Sequence, residues 1–162
     1  MKIKSILIIT SLLIPSITFA INSNCPLSTG INVQTAHQRL YVCEHSNVIN
    51  EFKISIGRNG IGKKQSGDNK TPVGLYKLAS PRQSNEFGIF IPIQYPTNVQ
   101  LLAGYTGKDV GIHGPFHLFN WLGSLNTLFN WTQGCIAVGN NEQMDFLAKW
   151  VKDHPQVKII IS

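Results

Sequence analysis

Cys135 stands in the run Thr132-Gln133-Gly134-Cys135-Ile136-Ala137-Val138-Gly139-Asn140, and His113 closes the short apolar segment Asp109-Val110-Gly111-Ile112-His113 upstream of it. A thiol attacks as thiolate, so it needs a base, and attack on a carbonyl also needs N–H donors for the oxyanion that forms. Cys135 supplies the sulfur and His113 is the preferred base. Gly134 lets the backbone turn tightly and bring main-chain N–H groups beside the sulfur. His117 is the rival base, while His37, His45 and His154 sit in polar, turn-like surroundings and are expected to be solvated. Taken singly, Cys135 reads as a small buried apolar residue and His113 as a satisfied core histidine. Together, in an exported chain, they favour thiol catalysis. Metal binding by His113, His117 and Cys135 is disfavoured: the histidine spacing suits zinc only on a helix, and Gly114-Pro115 opposes one. No metal and no organic cofactor is expected.

Export is read from residues 1–20. Lys2 and Lys4 precede an apolar stretch through Ile14, Pro15 breaks it, and Thr18-Phe19-Ala20 ends in the small residues of a cleavage site. The stretch is shorter than the ~20 residues of a membrane-spanning helix, so no stable membrane insertion is expected after cleavage. Residues 21–162 then form one catalytic domain, expected to be monomeric. Of 14 basic residues two leave with the signal, so 12 stand against 8 acidic ones, a balance of +4. Arg58, Lys63, Lys64 and Lys70 cluster in a Gly- and Asn-rich stretch that reads either as a solvated loop or as a weak attraction to an anionic polymer. No aromatic residue is interleaved there, which argues against nucleic acid. In an oxidising compartment Cys25 and Cys43 are the natural disulfide pair, because other pairings would consume Cys135; three free thiols are the alternative.

The elements that must position these groups are mostly strands. Ile31–Gln34, Arg39–Cys43 and Phe52–Gly57 read as a β-meander, with polar turn material over Glu44–Asn47. Leu75–Leu78, Phe87–Ile93, Asp109–His113 and Val157–Ile161 are further strand-like runs. One helix is well marked after the cysteine: Asn140 or Asn141 caps it, and Met144, Leu147, Trp150 and Val151 share a face. Asp145 and Lys149 are an expected i,i+4 pair, and His154-Pro155 is the stop. Residues 114–131 are unusually apolar for a loop and read as a lid over a site or as a pair of short core helices.

Four segments in order carry a resemblance to the L,D-transpeptidase catalytic-domain family (YkuD type). Gln38–Val42 followed by Phe52–Gly57 resembles that family's first hairpin, and Thr71-Pro72-Val73-Gly74-Leu75-Tyr76 its Thr-Pro-x-Gly-x-aromatic turn. Ile112-His113-Gly114 and Thr132-x-Gly134-Cys135-Ile136-x-Val138-x-Asn140 resemble its two active-site segments. The resemblance implies a mainly β (α+β) sandwich with the cysteine and histidine in a groove beneath a flap. It implies Cys135 as nucleophile, His113 as base, Gly114 orienting the imidazole through its carbonyl, and an oxyanion hole around Gly134-Cys135. Thr132 and Asn140 would brace the cysteine loop and, with Trp131 and Gln133, face the substrate; Thr71, Pro72 and Gly74 look structural. The implied partners are peptidoglycan stem peptides, met in the periplasm or cell wall. The implied reaction forms a thioester at the third residue of a tetrapeptide stem and passes it to an amine. Hydrolysis of the same bond and a non-catalytic wall-binding role are the alternatives, and a thiol peptidase acting on ordinary L-peptides is a third.

Three departures accompany the resemblance. Gln133 stands where many members have histidine, so a second-histidine relay is excluded. Ala137 stands where many have an arginine able to pair with a substrate carboxylate. The 18 residues between His113 and Thr132 are a slightly long spacing. Trp131-Thr132-Gln133-Gly134-Cys135-Ile136-Ala137-Val138 resembles a branch with Trp-Thr-x-Gly-Cys-Ile-Ala-Val.

Overall fold

A computed structural model of the chain describes residues 24–162, apart from the side chains of residues 117–120 and 124. The expected signal segment, residues 1–20, lies outside the described residues. Three strands form the expected meander: β1 (Gly30–Gln34), β2 (Arg39–Glu44) and β3 (Asn47–Ser55), each antiparallel to the next. The turn between β2 and β3 is tighter than its polar residues suggest. His45 and Ser46 alone make it, at φ 48° and 64°, and Glu44 and Asn47 pair in the strands. Two successive left-handed residues match the right-handed twist of a hairpin, which lets both strands pair up to the turn.

The last strand, β9 (Lys158–Ile161), runs parallel to β1, and β4 (Gly74–Lys77) is antiparallel on its other side. In the other direction, the end of β3 pairs through Ile54 and Ser55 with β8 (Ile136–Val138). There follow β7 (Gly111–His113), β6 (Gly88–Pro92) and β5 (Arg82–Ser84). The outermost strands β4 and β5 are consecutive in the chain. Just past the short β5 pairing, the end of β4 meets the end of β6: Leu78 bridges Ile93, Ala79 N–H donates to Pro92 O at 2.9 Å, and Gln94 N–H donates to Lys77 O at 2.9 Å. The sheet therefore curls until its edges meet, and the two expected layers are halves of one sheet.

The enclosed face carries Ile31, Val33, Leu40, Ile54, Ile112 and Ile159, all fully buried. Helix α2 (Asn141–Asp153) follows β8 and seats Met144, Leu147, Trp150 and Val151 in the same core. Asn140 is its cap, its side chain accepting from Gln143 N–H at 2.9 Å. Lys149 turns toward the C-terminal end and pairs with Asp153 at 2.8 Å, not with Asp145. The expectation for His154 also needs correcting. At the end of α2 its ring stacks on Trp150, centroids 4.4 Å apart, and Nδ1 lies 2.8 Å from Trp150 O. A short helix α1 (Asn98–Leu102), held by a Thr97–Gln100 capping box, carries no buried residue, so no apolar periodicity announces it.

Cys25 and Cys43 are bridged, S–S 2.08 Å, and Cys135 is free. Residues 117–127 form a tight helical excursion broken at Gly123. Trp121 is 80 % exposed, and Leu125, Leu128 and Phe129 are exposed too, so the pair of core helices does not form. Among the described residues no helix is long and apolar enough to cross a membrane.

Candidate active site

The parallel pair β7–β8 brings the two chemical residues together. Ile112 is opposite Ile136 and His113 opposite Ala137. Side chains alternate along a strand, so Cys135, two residues before Ala137, comes to the face that His113 occupies. Both line one cavity of about 470 Å³.

His113 is 1 % exposed. Its Nδ1 lies 2.6 Å from Gly114 O, so Nδ1–H donates to that carbonyl and Nε2 is left as the basic nitrogen. Phe87 stacks on the ring, with centroids 3.8 Å apart and planes 21° from parallel, and Trp131 meets it edge-on at 5.7 Å. Burial pushes the imidazole down from its ordinary 6.5 to about 4, against the opposing pull of the Gly114 carbonyl. Cys135 is half-buried, and its thiol donates to Asp109 O at 3.5 Å. Burial pushes this thiol up to about 11; the Gly111 main chain and the Lys63 charge oppose the rise, and Asp109 adds to it. The resting pair at neutral pH is therefore a thiol beside a neutral imidazole.

The loop carrying the sulfur is braced from both sides. Thr132 Oγ1 accepts from Gly134 N–H at 3.1 Å and donates to Cys135 O at 2.7 Å. Gly134 adopts φ 127°, and a Cβ there would stand 2.6 Å from Lys70 O; glycine is required on both counts. Arg58 N–H donates to Thr132 O at 2.9 Å, which ties the loop to the chain leaving β3. That chain is held in turn by Thr71, whose Oγ1 accepts from Gly57 N–H at 2.9 Å.

Lys63 is not part of a solvated basic patch. It is 5 % exposed, and its Nζ donates to Asp68 Oδ1 at 2.8 Å and to Gln65 O at 3.1 Å. Asp68 also accepts from the N–H groups of Lys64, Gln65 and Lys70. Burial works against the Asp68 carboxylate, yet these bonds hold its pKa well below the ordinary range.

Of the residues expected at the site, Cys135, His113, Trp131, Thr132 and Gln133 line the cavity. Gly114 adjoins it through its carbonyl, and Gly134 shapes the loop. Asn140 lies outside the lining; its side chain is committed to the start of α2 rather than to the cysteine loop. The His117 side chain is outside the described residues, and among those described no three His, Cys, Asp or Glu residues group as metal ligands. Sequence reasoning missed Phe87, Phe90, Arg58, Arg82 and Asp109, which also line the cavity. Phe87 and Phe90 read as ordinary strand apolars. The polar stretch Arg82–Ser84, too short to show a period, gives no sign that it pairs with Gly88–Phe90 as one wall of the site.

The chain matches the model of the YkuD L,D-transpeptidase catalytic domain over residues 28–159. It belongs to that family. Among solved structures, this family member is 28% identical to the helical cell shape determining protein Pgp2 of Campylobacter jejuni. That alignment has a TM-score of 0.63 and covers 82% of this chain and 46% of Pgp2. Bd1075 of Bdellovibrio bacteriovorus is 21% identical, TM-score 0.59, over 82% of this chain and 47% of that one. A mutant L,D-transpeptidase of Enterococcus faecium is 17% identical, TM-score 0.56, over 83% and 49%. The last two likenesses establish the fold alone. This chain spans about half the length of each of these structures. No curated protein matches the chain significantly.

Proposed function

We propose that this L,D-transpeptidase family member is an exported cysteine acyltransferase that works on peptidoglycan stem peptides in the periplasm or cell wall. The observation that carries the reading is the shared cavity. Cys135 and His113 face it from adjacent parallel strands, with His113 Nδ1–H held by Gly114 O and Nε2 free to take a proton.

The proposed reaction begins as Sγ of Cys135 attacks the carbonyl of the third residue of a tetrapeptide stem and His113 Nε2 takes the thiol proton. Gly134 N–H is already committed to Thr132 Oγ1, so Cys135 N–H is the donor we assign to the oxyanion. The C–N bond then breaks, the imidazolium returns its proton to the leaving amine, and D-alanine departs from a thioester. An acceptor amine attacks that thioester, His113 takes its proton, and the thiolate leaves and is reprotonated. With water as acceptor, the same site would trim the stem instead of joining two. Burial holds His113 below its ordinary value, so at neutral pH it meets the thiol as the neutral imidazole that can accept a proton.

The test is incubation with defined tetrapeptide muropeptides and identification of products by mass. Wild type should give a cross-linked or trimmed stem, and Cys135→Ala should give neither while keeping its circular dichroism spectrum. Undiminished product from Cys135→Ala would remove the mechanism. The product itself separates transfer from hydrolysis.

A further inference from the structure

We propose that Arg82 is the carboxylate receptor of this site, gripping the free C-terminal carboxylate of the residue that leaves and so restricting the enzyme to donors that end one residue beyond the attacked carbonyl. The inference rests on the acyl-transfer reading above. It starts from Ala137, which is fully buried, sits between Ser55 on β3 and His113 on β7, and has no charge to offer a ligand. The cations that do line the cavity are Arg58 and Arg82, alongside the carboxylates of Glu86 and Asp109.

Arg82 is the better placed of the two, because Asp109 connects it to the sulfur. Asp109 touches both groups. Its main-chain oxygen accepts from Cys135 Sγ at 3.5 Å, and its Oδ1 lies 3.8 Å from Arg82 Nη2. One peptide residue spans about 3.5 Å, so the carboxylate of a residue just past a carbonyl bound at the sulfur stays within the cavity that Cys135 and Arg82 both line.

The guanidinium is also presented suitably. Its carbon lies 4.7 Å from the Phe90 ring centroid, which supports one face and leaves the N–H edge for a ligand. The Asp109 contact exceeds hydrogen-bond length, and both side chains are more than half exposed, so that pairing is weak and an incoming carboxylate can displace it. The planar fork fits two carboxylate oxygens at once, which a lysine could not match.

The test compares two otherwise identical tetrapeptide stems, one ending in a free carboxylate and one in a carboxamide. With wild type, kcat/KM should fall at least about tenfold for the carboxamide, mostly through KM. Arg82→Gln should be slow on the carboxylate donor and treat the two alike, and Arg82→Lys should recover part of the preference. Equal use of both donors by wild type overturns the assignment and leaves the acyl-transfer reading standing. So does an Arg82→Gln enzyme that still prefers the carboxylate. No turnover of either donor by wild type removes the reading, and this inference with it. The wild-type comparison needs no variant, so a misfolded Arg82→Gln does not shield the proposal.

Discussion

Alkylation of Cys135 as a function of pH reports directly on the resting state of the pair. With the thiol pushed up to about 11 and the imidazole down to about 4, both are neutral between those values. At pH 7 such a thiol is ionised to roughly one part in 10⁴, against about 3 % for an ordinary cysteine of pKa near 8.5. The more basic thiolate is intrinsically about tenfold more nucleophilic, given a Brønsted slope of about 0.4–0.5. The net expectation is alkylation by iodoacetamide about 20- to 30-fold slower at pH 7 than for an exposed cysteine in a peptide. The rate should climb about tenfold per pH unit from 6 to 9. Cys135 is the free cysteine of the chain, so intact mass reads the reaction without ambiguity, provided no reductant opens the Cys25–Cys43 bridge. In His113→Gln the slope should persist, because a neutral imidazole does not create the resting thiolate. Acyl transfer by that variant should nevertheless fall by about 10²–10⁴. A preformed thiolate–imidazolium pair would instead give a plateau across pH 6–8. A plateau, or a rate above the peptide control, would refute the neutral-pair account.

His113 should also make stability depend on pH. Its folded pKa lies below the unfolded value of 6.5, so the unfolded chain binds more protons between pH 6.5 and about 4; stability is full above 6.5 and falls by up to about 3 kcal/mol on acidification through that window. Urea titrations should show His113→Gln losing less than wild type there, and parallel losses would contradict the assigned burial. Replacing Cys25 and Cys43 together by Ser opens a link of sequence separation 18 and should cost about 3 kcal/mol by loop entropy, visible as a lower urea midpoint. Gly134→Ala forces a Cβ to 2.6 Å from Lys70 O at φ 127°, and should cost about 1–3 kcal/mol and most of the turnover; a wild-type rate would show that the cysteine loop tolerates the shift.

Most of the frame was legible because its burial follows simple periods. Ile31 and Val33, or Phe52, Ile54 and Ile56, fall on one sheet face by alternation, and Met144, Leu147, Trp150 and Val151 on one helix face at helical spacing. Cys135 and His113 were legible as a candidate pair because one is left over beside the Cys25–Cys43 pair and the other closes an apolar strand. What stayed hidden was whatever depends on a partner distant in the chain. Residue 82 reaches the site only because β5 pairs with β6, and Phe87 caps the imidazole only because the same hairpin folds over it. Neither pairing leaves a local mark. Residues 114–131 allowed two readings because an apolar composition fits a lid as well as a core, and the fold leaves Trp121, Leu125, Leu128 and Phe129 outside the core.

The basic stretch shows how a charge pattern can belong to architecture rather than to a partner. Read as a row of lysines, residues 58–70 suggest attraction to a polyanion. The fold instead withdraws Lys63 from water and gives it Asp68, five residues on, as counter-ion. A buried ammonium is costly unless paired and bonded, so the pair constrains the loop more than it stabilises the domain. The constraint acts where the chemistry needs it. The same carboxylate collects Lys64, Gln65 and Lys70 N–H, which fixes the backbone at Lys70. The Lys70 carbonyl in turn leaves room only for a glycine at 134. Lys63 itself packs against that glycine and lowers the pKa of the neighbouring thiol. A stretch that reads as a charged docking surface thus packs Lys63 and Lys70 against the loop that carries Cys135.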